Sequence, residues 1–351
     1  MIGARYRPGV GLEVGELPVP EIGDGDLLVR VRATAICGTD LKILSCGHRK
    51  LKPGQSIVLG HEFAGTIERV GSRVTGFHVG MRVGVVPNIG CGRCEMCARG
   101  LMNMCPRYSA FGIDRDGSHA EFVNIPEAAI AQGNVVVLPD AVSMIEAALI
   151  EPLSCVANGM RVVRLRAGET VLLYGAGPMG LLNLMFALVL GAAQVYVVDP
   201  NSARLEVANR LGASAVLNPE HASVVDWIRD LTHGRGVDVV IVAAGVGRLQ
   251  AEAVQVLAPF GRVCLFAGLA NGHAPVPLDT NAIHYKNLVV TGMTGGAISD
   301  YRTSLKLIES GRFDIKKIIS HVLTLRELEH AYKLAMGGTG MKIVLTNEDR
   351  P

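Results

Sequence analysis

No run in this 351-residue chain approaches the ~18 consecutive apolar residues that a membrane-spanning helix requires. The longest, Leu181–Leu190, is interrupted by Asn183 and reads as a buried helix. The N-terminal Met-Ile-Gly-Ala-Arg-Tyr-Arg carries no apolar signal core, so the sequence predicts a cytosolic protein. Charge is also scarce. Charged residues make up 19% and the net charge is only +2, which argues against disorder and gives no pull toward nucleic acid or an anionic membrane. In a reducing compartment the eight cysteines point to metal ligands or buried thiols, not disulfides. What is abundant is apolar content, at 49%, enough for two cores, and glycine, at 42 residues, which implies many tight turns.

The chain is organised around Val171–Asp199. Val-Leu-Leu-Tyr is followed by Gly175-Ala176-Gly177-Pro178-Met179-Gly180, an apolar run to Leu190, then Val195–Val198 and Asp199. Strand, glycine turn, helix, strand and acid is the context that gives G-x-G-x-x-G its meaning. Gly175 permits the turn, Gly177 lets backbone approach a pyrophosphate, and Gly180 lets the helix pack closely. The N–H groups at that helix start face phosphates, and Asp199 is placed to accept the hydroxyls of an adenosine ribose. This predicts NAD over NADP, because Asp199 would repel a 2′-phosphate; Arg204, close in sequence, softens the preference.

Before this turn, short β-type runs (Leu27–Ala33, Gly65–Val70, Arg82–Val86, Ala120–Ile125) alternate with Gly, Pro and Asp punctuation, the signature of a β-rich domain. Between Ser143 and Arg164, Glu151-Pro152 interrupts a helix-like stretch and suggests a crossing between domains. After Asp199, helix-like Ser202–Leu211, Ser223–Leu231 and Leu249–Leu257 separate strands Ala215–Leu217, Val237–Val242, Arg262–Phe266 and Leu288–Thr291. With the first two strands this makes six, the count of a doubly wound Rossmann domain. The tail offers amphipathic Asp300–Ser310, a helix near Leu325–Met336 and strand Lys342–Leu345, too little for a third domain, so it is expected to return to the first. The expected division is 1–152, 153–292 and a return over 293–351.

Cys91, Cys94, Cys97 and Cys105 form C-x2-C-x2-C-x7-C in a Gly- and Arg-rich lobe, about residues 88–108. Four closely spaced thiolates suit tetrahedral zinc with no open position, hence a structural Zn2+. A second set is dispersed: Cys37-Gly-Thr39-Asp40, Gly60-His61-Glu62 and Glu151. Thr39 and Asp40 also fit a helix cap. Cys46, Cys155 and Cys264 read as small buried hydrophobes.

In their order along the chain, Cys37-Gly-Thr-Asp, Gly60-His-Glu, the four-cysteine lobe, Glu151-Pro152 and Gly175–Asp199 resemble the zinc-dependent medium-chain alcohol and polyol dehydrogenases over essentially the whole length. Within them the sorbitol, cyclitol and threonine dehydrogenase branch looks most similar. The resemblance implies an α/β protein with a six-stranded Rossmann domain and a discontinuous β-rich, GroES-like catalytic domain. It implies a second, catalytic Zn2+ on Cys37 and His61, with either Glu62 or Glu151 in the third place, and Thr39 passing a proton outward. The expected reaction is NAD-dependent oxidation of a secondary alcohol on a polyol, sugar alcohol or cyclitol. A threonine-type amino alcohol or a polyol phosphate is the alternative substrate, and a zinc-stabilised nucleotide-binding protein without turnover is the non-enzyme alternative. A homodimer or homotetramer with a small-molecule alcohol as partner, and neither nucleic acid nor membrane, completes the expectation. One departure stands out: many relatives carry histidine where this chain has Lys42, so the relay could end at the ribose, at His48 or in water. Lys42, His48, Arg49, Lys50 and Lys52 form a basic loop, either solvated or able to hold an anionic substrate.

Overall fold

A computed structural model describes residues 1–52, 54–270, 272–338 and 340–347. The chain divides into two units, Cys155–Gly295 and the rest, the latter joining Met1–Ser154 to the segment from Gly296 onward.

The first unit is β-rich. Its main sheet runs Val135–Val137, Arg82–Val85, Glu62–Val70, Leu27–Ala35, Lys342–Thr346 and Ile319–Thr324, with Phe122–Ile125 also pairing on Leu27–Ala35. A smaller sheet joins Gly11–Glu16, Ile2–Arg7 and Ile57–Val58. The tail therefore completes the first unit's sheet, as expected for a segment too short to bury a core of its own. Val344 stands opposite Ala35, and Ala35 is in turn opposite Glu62. That register carries Lys342 to the level of Cys37. Leu323, Leu325, Leu328, Ile343 and Leu345 bury against Ile36, Ile43 and Leu59, each such side chain contributing about 1.5–3 kcal/mol.

The second unit is a six-stranded parallel sheet in the order Ala215–Leu217, Gln194–Val198, Thr170–Tyr174, Val237–Val242, Leu257–Leu265, Val289–Gly292. Parallel strands are covered on both faces, which is why Val195–Val198 and Val239–Val242 are unbroken apolar runs. The core gathers Leu172, Tyr174, Val198, Val240, Val242 and Val263.

Some boundaries differ from the sequence reading. The helix read as Leu249–Leu257 is Gly247–Ala253, and the next strand begins at Leu257. Its apolar residues serve either period, and tertiary pairing decides. The expected interruption lies just before Glu151-Pro152: the helix Met144–Ala148 ends at Leu149, and Ile150–Val163 then starts with both residues in its first turn, where proline has no intrahelical N–H bond to lose. The strand Ile319–Thr324 and the helix Thr280–Lys286 had no clear periodicity. Among the described residues no helix is long and apolar enough to cross a membrane.

Candidate metal centres and dinucleotide turn

The cysteine lobe is held by local geometry. All four Sγ atoms of Cys91, Cys94, Cys97 and Cys105 lie within 4.8 Å of one another. Cys94 Sγ is 3.6 Å from Cys97 Sγ and 3.7 Å from Cys105 Sγ. A tetrahedron with metal–sulfur bonds of ~2.3 Å has edges of about 3.8 Å, so the donor set fits zinc. The Arg93 N–H, a Cys105 contact and the Arg107 guanidinium bring the Cys91 thiol down to about 6, whereas burial pushes Cys97 up to about 11.

The second centre arises where the strand Leu27–Ala35 ends and the helix Gly38–Cys46 begins. Cys37 caps that helix, Glu62 opens the neighbouring strand, and His61 immediately precedes it. Ligand atoms of Cys37, His61 and Glu62 lie within 4.8 Å of one another; His61 and Glu62 are buried and Cys37 half-buried. One sulfur, one imidazole and one carboxylate are the donors of a three-ligand zinc site with a position left for substrate. His61 Nδ1 is buried without a hydrogen-bond partner. Burial alone would depress this imidazole, but Cys37 and Asp40 outweigh it and hold it well above its ordinary value. A metal bound to this ring would displace its proton.

Around these groups lies a buried polar layer. Asp40 Oδ2 accepts the Cys37 N–H at 2.9 Å and Oδ1 the Gly60 N–H at 3.2 Å, so one carboxylate ties both ligand segments together. Burial would raise its pKa, yet His61, His119 and the Cys37 N–H bring it down to about 2. Asp40 is therefore both a cap and a partner of the site. His119 Nε2 lies 3.3 Å from the Ala35 carbonyl, which can only accept; Nδ1 then accepts from Tyr332 Oη at 2.9 Å. Burial keeps that imidazole below its ordinary value, consistent with a neutral ring. Gly60 has φ +90°, and a Cβ there would strike His119 and Ser118, so this approach requires glycine.

Across the layer, Lys342 Nζ donates to both Glu62 carboxylate oxygens, at 2.6 Å to Oε1, and to the Ile36 carbonyl at 3.2 Å. Burial disfavours this ammonium, but Glu62 and Cys37 more than compensate and raise its pKa. Thr34 Oγ1 donates to the Glu62 carbonyl at 3.1 Å. Glu151 is buried and acts electrostatically on Lys342 and Tyr301, but it does not join the Cys37–His61–Glu62 group. Thr39 is half-buried in the first turn of Gly38–Cys46.

In the other unit, the glycine turn joins Thr170–Tyr174 to the helix Pro178–Val189, with Ala176 between the two turn glycines, Gly177 as N-cap and Met179 in the first helical turn. A Cβ on Gly180 would strike the Gly175 carbonyl, so the third glycine is required by the turn's own backbone. Asp199 is buried at the end of Gln194–Val198; it accepts the Ala176 N–H at 2.7 Å and the Asn201 N–H at 2.8 Å. Arg204 lies beside Gly177: a Cβ built there would be 3.9 Å from its Nη1.

The basic loop is partly neutralised from within. Lys50 donates to the Tyr108 carbonyl, sits 3.1 Å from that ring's centroid and 3.8 Å from Asp114. His48 Nδ1 accepts the Lys50 N–H at 3.3 Å, and burial with Arg49 and Lys50 keeps the ring below its ordinary value. Lys42, Arg49 and Lys52 are exposed. Cys264 is buried and Cys155 half-buried, but Cys46 is exposed, its thiol donating to the Lys42 carbonyl at 3.2 Å. The expectation of a buried Cys46 fails because it lies in the helix's last turn, facing out.

Sequence reasoning missed Lys342, His119 and Tyr332. Lys342 opens an apolar strand, and a single lysine at a strand start ordinarily reads as solvated.

Comparison with known proteins agrees with this geometry. Residues 23–140 match the alcohol dehydrogenase GroES-like domain and residues 178–310 the zinc-binding dehydrogenase domain. The chain is 36% identical to L-threonine 3-dehydrogenase of Pyrococcus horikoshii over 345 residues, 97% of this chain and 96% of the relative. It is 35% identical to a Neosartorya fischeri chain named as a D-xylulose reductase, over 93% of this chain and 91% of that one. A Sinorhizobium meliloti chain solved with NADP bound superposes with a TM-score of 0.89 at 30% identity, over 98% of both chains.

Proposed function

The chain belongs to the zinc-binding alcohol dehydrogenase family, and from that premise we propose that it oxidises a secondary alcohol of a polyol, sugar alcohol or cyclitol to the ketone, with NAD accepting the hydride. The observation that carries this reading is the Cys37–His61–Glu62 group, with His61 and Glu62 buried and Cys37 half-buried, separate from a second donor set of four cysteines. Two zinc ions per chain follow: one on Cys37, His61 and Glu62, the other on Cys91, Cys94, Cys97 and Cys105. At the first site zinc would supply a Lewis acid that makes the alcohol acidic enough to ionise near neutral pH.

The chain's own residues do the rest. Asp40 and Lys342 hold the ligand segments in register, Glu62 supplies the carboxylate, and Glu151 adds negative charge nearby. Thr39 Oγ1 takes the alcohol proton and passes it outward. The Gly175–Gly180 turn binds the pyrophosphate with the N–H groups of its helix, and Asp199 accepts the ribose hydroxyls, which favours NAD. Arg204, beside Gly177, adds positive charge near the pyrophosphate. A homodimer or homotetramer is part of the proposal; the edge strand Val289–Gly292, with Val289 half-exposed, offers a pairing surface.

A threonine-type amino alcohol is the second reading, favoured by the 36% identity to the Pyrococcus enzyme. Both substrate classes present a secondary alcohol beside a polar carbon. Initial rates of NAD reduction by zinc-loaded protein over sorbitol, xylitol, inositols, polyol phosphates, threonine and simple secondary alcohols decide between them. Turnover of a neutral polyol or cyclitol supports the first reading. Threonine alone supports the second, and phosphates alone would assign the exposed Lys42, Arg49 and Lys52 to substrate binding. No turnover on any member would remove the substrate assignment.

A further inference from the structure

We propose that Lys342 is a positioning residue of the Cys37–His61–Glu62 metal site: its buried ammonium locks the Glu62 carboxylate to the Cys37 segment and thereby sets the affinity for the metal. The proposal rests on the reading of that group as the catalytic zinc site.

An ammonium has three N–H donors and no acceptor. Lys342 spends all three on groups flanking the ligands, the two Glu62 oxygens and the carbonyl of Ile36, the residue before Cys37. Both charged side chains are almost wholly buried, with side-chain exposures of 3% for Lys342 and 0% for Glu62, so water cannot replace either partner. The strand register makes the arrangement possible, since Val344 faces Ala35 and Ala35 faces Glu62. Asp40 does the complementary job with opposite charge, gathering the N–H groups of Cys37 and Gly60. A ligating carboxylate is only as well oriented as its outer partner, and loss of such a partner typically costs about 10–100-fold in metal affinity or activity. The tail segment thus contributes directly to a metal site whose ligands all lie in the first 62 residues.

The test measures zinc affinity by competition with a chromophoric chelator, and the visible spectrum of the cobalt-substituted protein, in full-length wild type, K342R, K342M, E62Q and the double variant E62Q/K342M. K342M should bind the Cys37-site metal about 10–100-fold more weakly and shift the cobalt bands, and K342R should recover most of the loss. E62Q/K342M should match E62Q alone, because Lys342 acts through Glu62. If K342M does not fold, the comparison of E62Q with E62Q/K342M decides. Wild-type affinity and spectrum in folded K342M would overturn the proposal, as would an equal further loss when K342M is added to E62Q. If wild type holds a single zinc that C37S does not remove, the metal-site reading falls and the proposal with it.

Discussion

The Asp40 carboxylate stands 3.6 Å from His61 Nδ1, with both residues buried. No hydrogen bond reaches that ring nitrogen, so the Asp40 carboxylate beside it is positioned to orient the imidazole electrostatically. The same carboxylate accepts the N–H groups of Cys37 and Gly60. One side chain therefore ties together two segments, more than twenty residues apart, that carry the candidate ligands Cys37 and His61.

D40N keeps the shape and removes the charge. Zinc affinity at the Cys37 site should fall about 10–100-fold, while the cysteine-lobe zinc stays. Chelator titration with a zinc count checks this: one metal should leave early and one late. Unchanged release of both would deny Asp40 its orienting role.

In the lobe, Cys94 Sγ lies 3.6 and 3.7 Å from two other sulfurs. C94S should lower the zinc count by one and the unfolding temperature by several degrees, since a closed zinc site contributes folding energy directly. NADH affinity, read by fluorescence, should be unchanged, because the dinucleotide turn draws no residue from the lobe. A full zinc complement in C94S would contradict the four-sulfur assignment.

The parts legible in the sequence were those written locally. Cys91 to Cys105 fall within one loop, and Gly175 to Asp199 within one strand–helix–strand unit, so spacing alone carries their geometry. The six strands of the parallel sheet were visible because burial on both faces leaves apolar runs such as Val239–Val242. Lys342 was not legible: its partner is 280 positions away, and nothing near it in sequence signals burial. Which carboxylate lies beside Cys37 and His61 was equally hidden, because it depends on the register of Ala35 against Glu62. Asp40 could be read as a cap, and it is one, but its second oxygen reaches Gly60 only through tertiary contact.

Asp199 presents a fixed carboxylate, held by the N–H groups of Ala176 and Asn201. D199G should lose the ribose hydrogen bonds, each worth about 1 kcal/mol, and with them repulsion of a 2′-phosphate. The ratio of kcat/KM with NAD to that with NADP should fall by at least about tenfold. Steady-state kinetics with both cofactors measures it, and an unchanged ratio would take the discriminating role from Asp199.

Asp238 offers a pH test that involves no candidate metal ligand. Its Oδ2 accepts the Thr170 N–H at 2.9 Å and the Thr170 hydroxyl at 2.8 Å, and it pairs with Arg235. Burial would raise this carboxyl, but Thr170 and Arg235 outweigh it and hold it below its ordinary value. A depressed carboxyl stabilises the fold above its unfolded pKa of ~3.9, and that stability is lost as pH falls through the folded value. At about pH 6, D238N should be less stable by about 1–2 kcal/mol, having lost charge-assisted bonds between two central strands. The gap should narrow as pH drops below ~4 and close as it falls through the depressed folded value, where the wild-type carboxylate is protonated as well. Thermal unfolding of both proteins across this range reads the gap directly. A gap of constant size would mean that the substitution acts through packing, not through the carboxylate's charge.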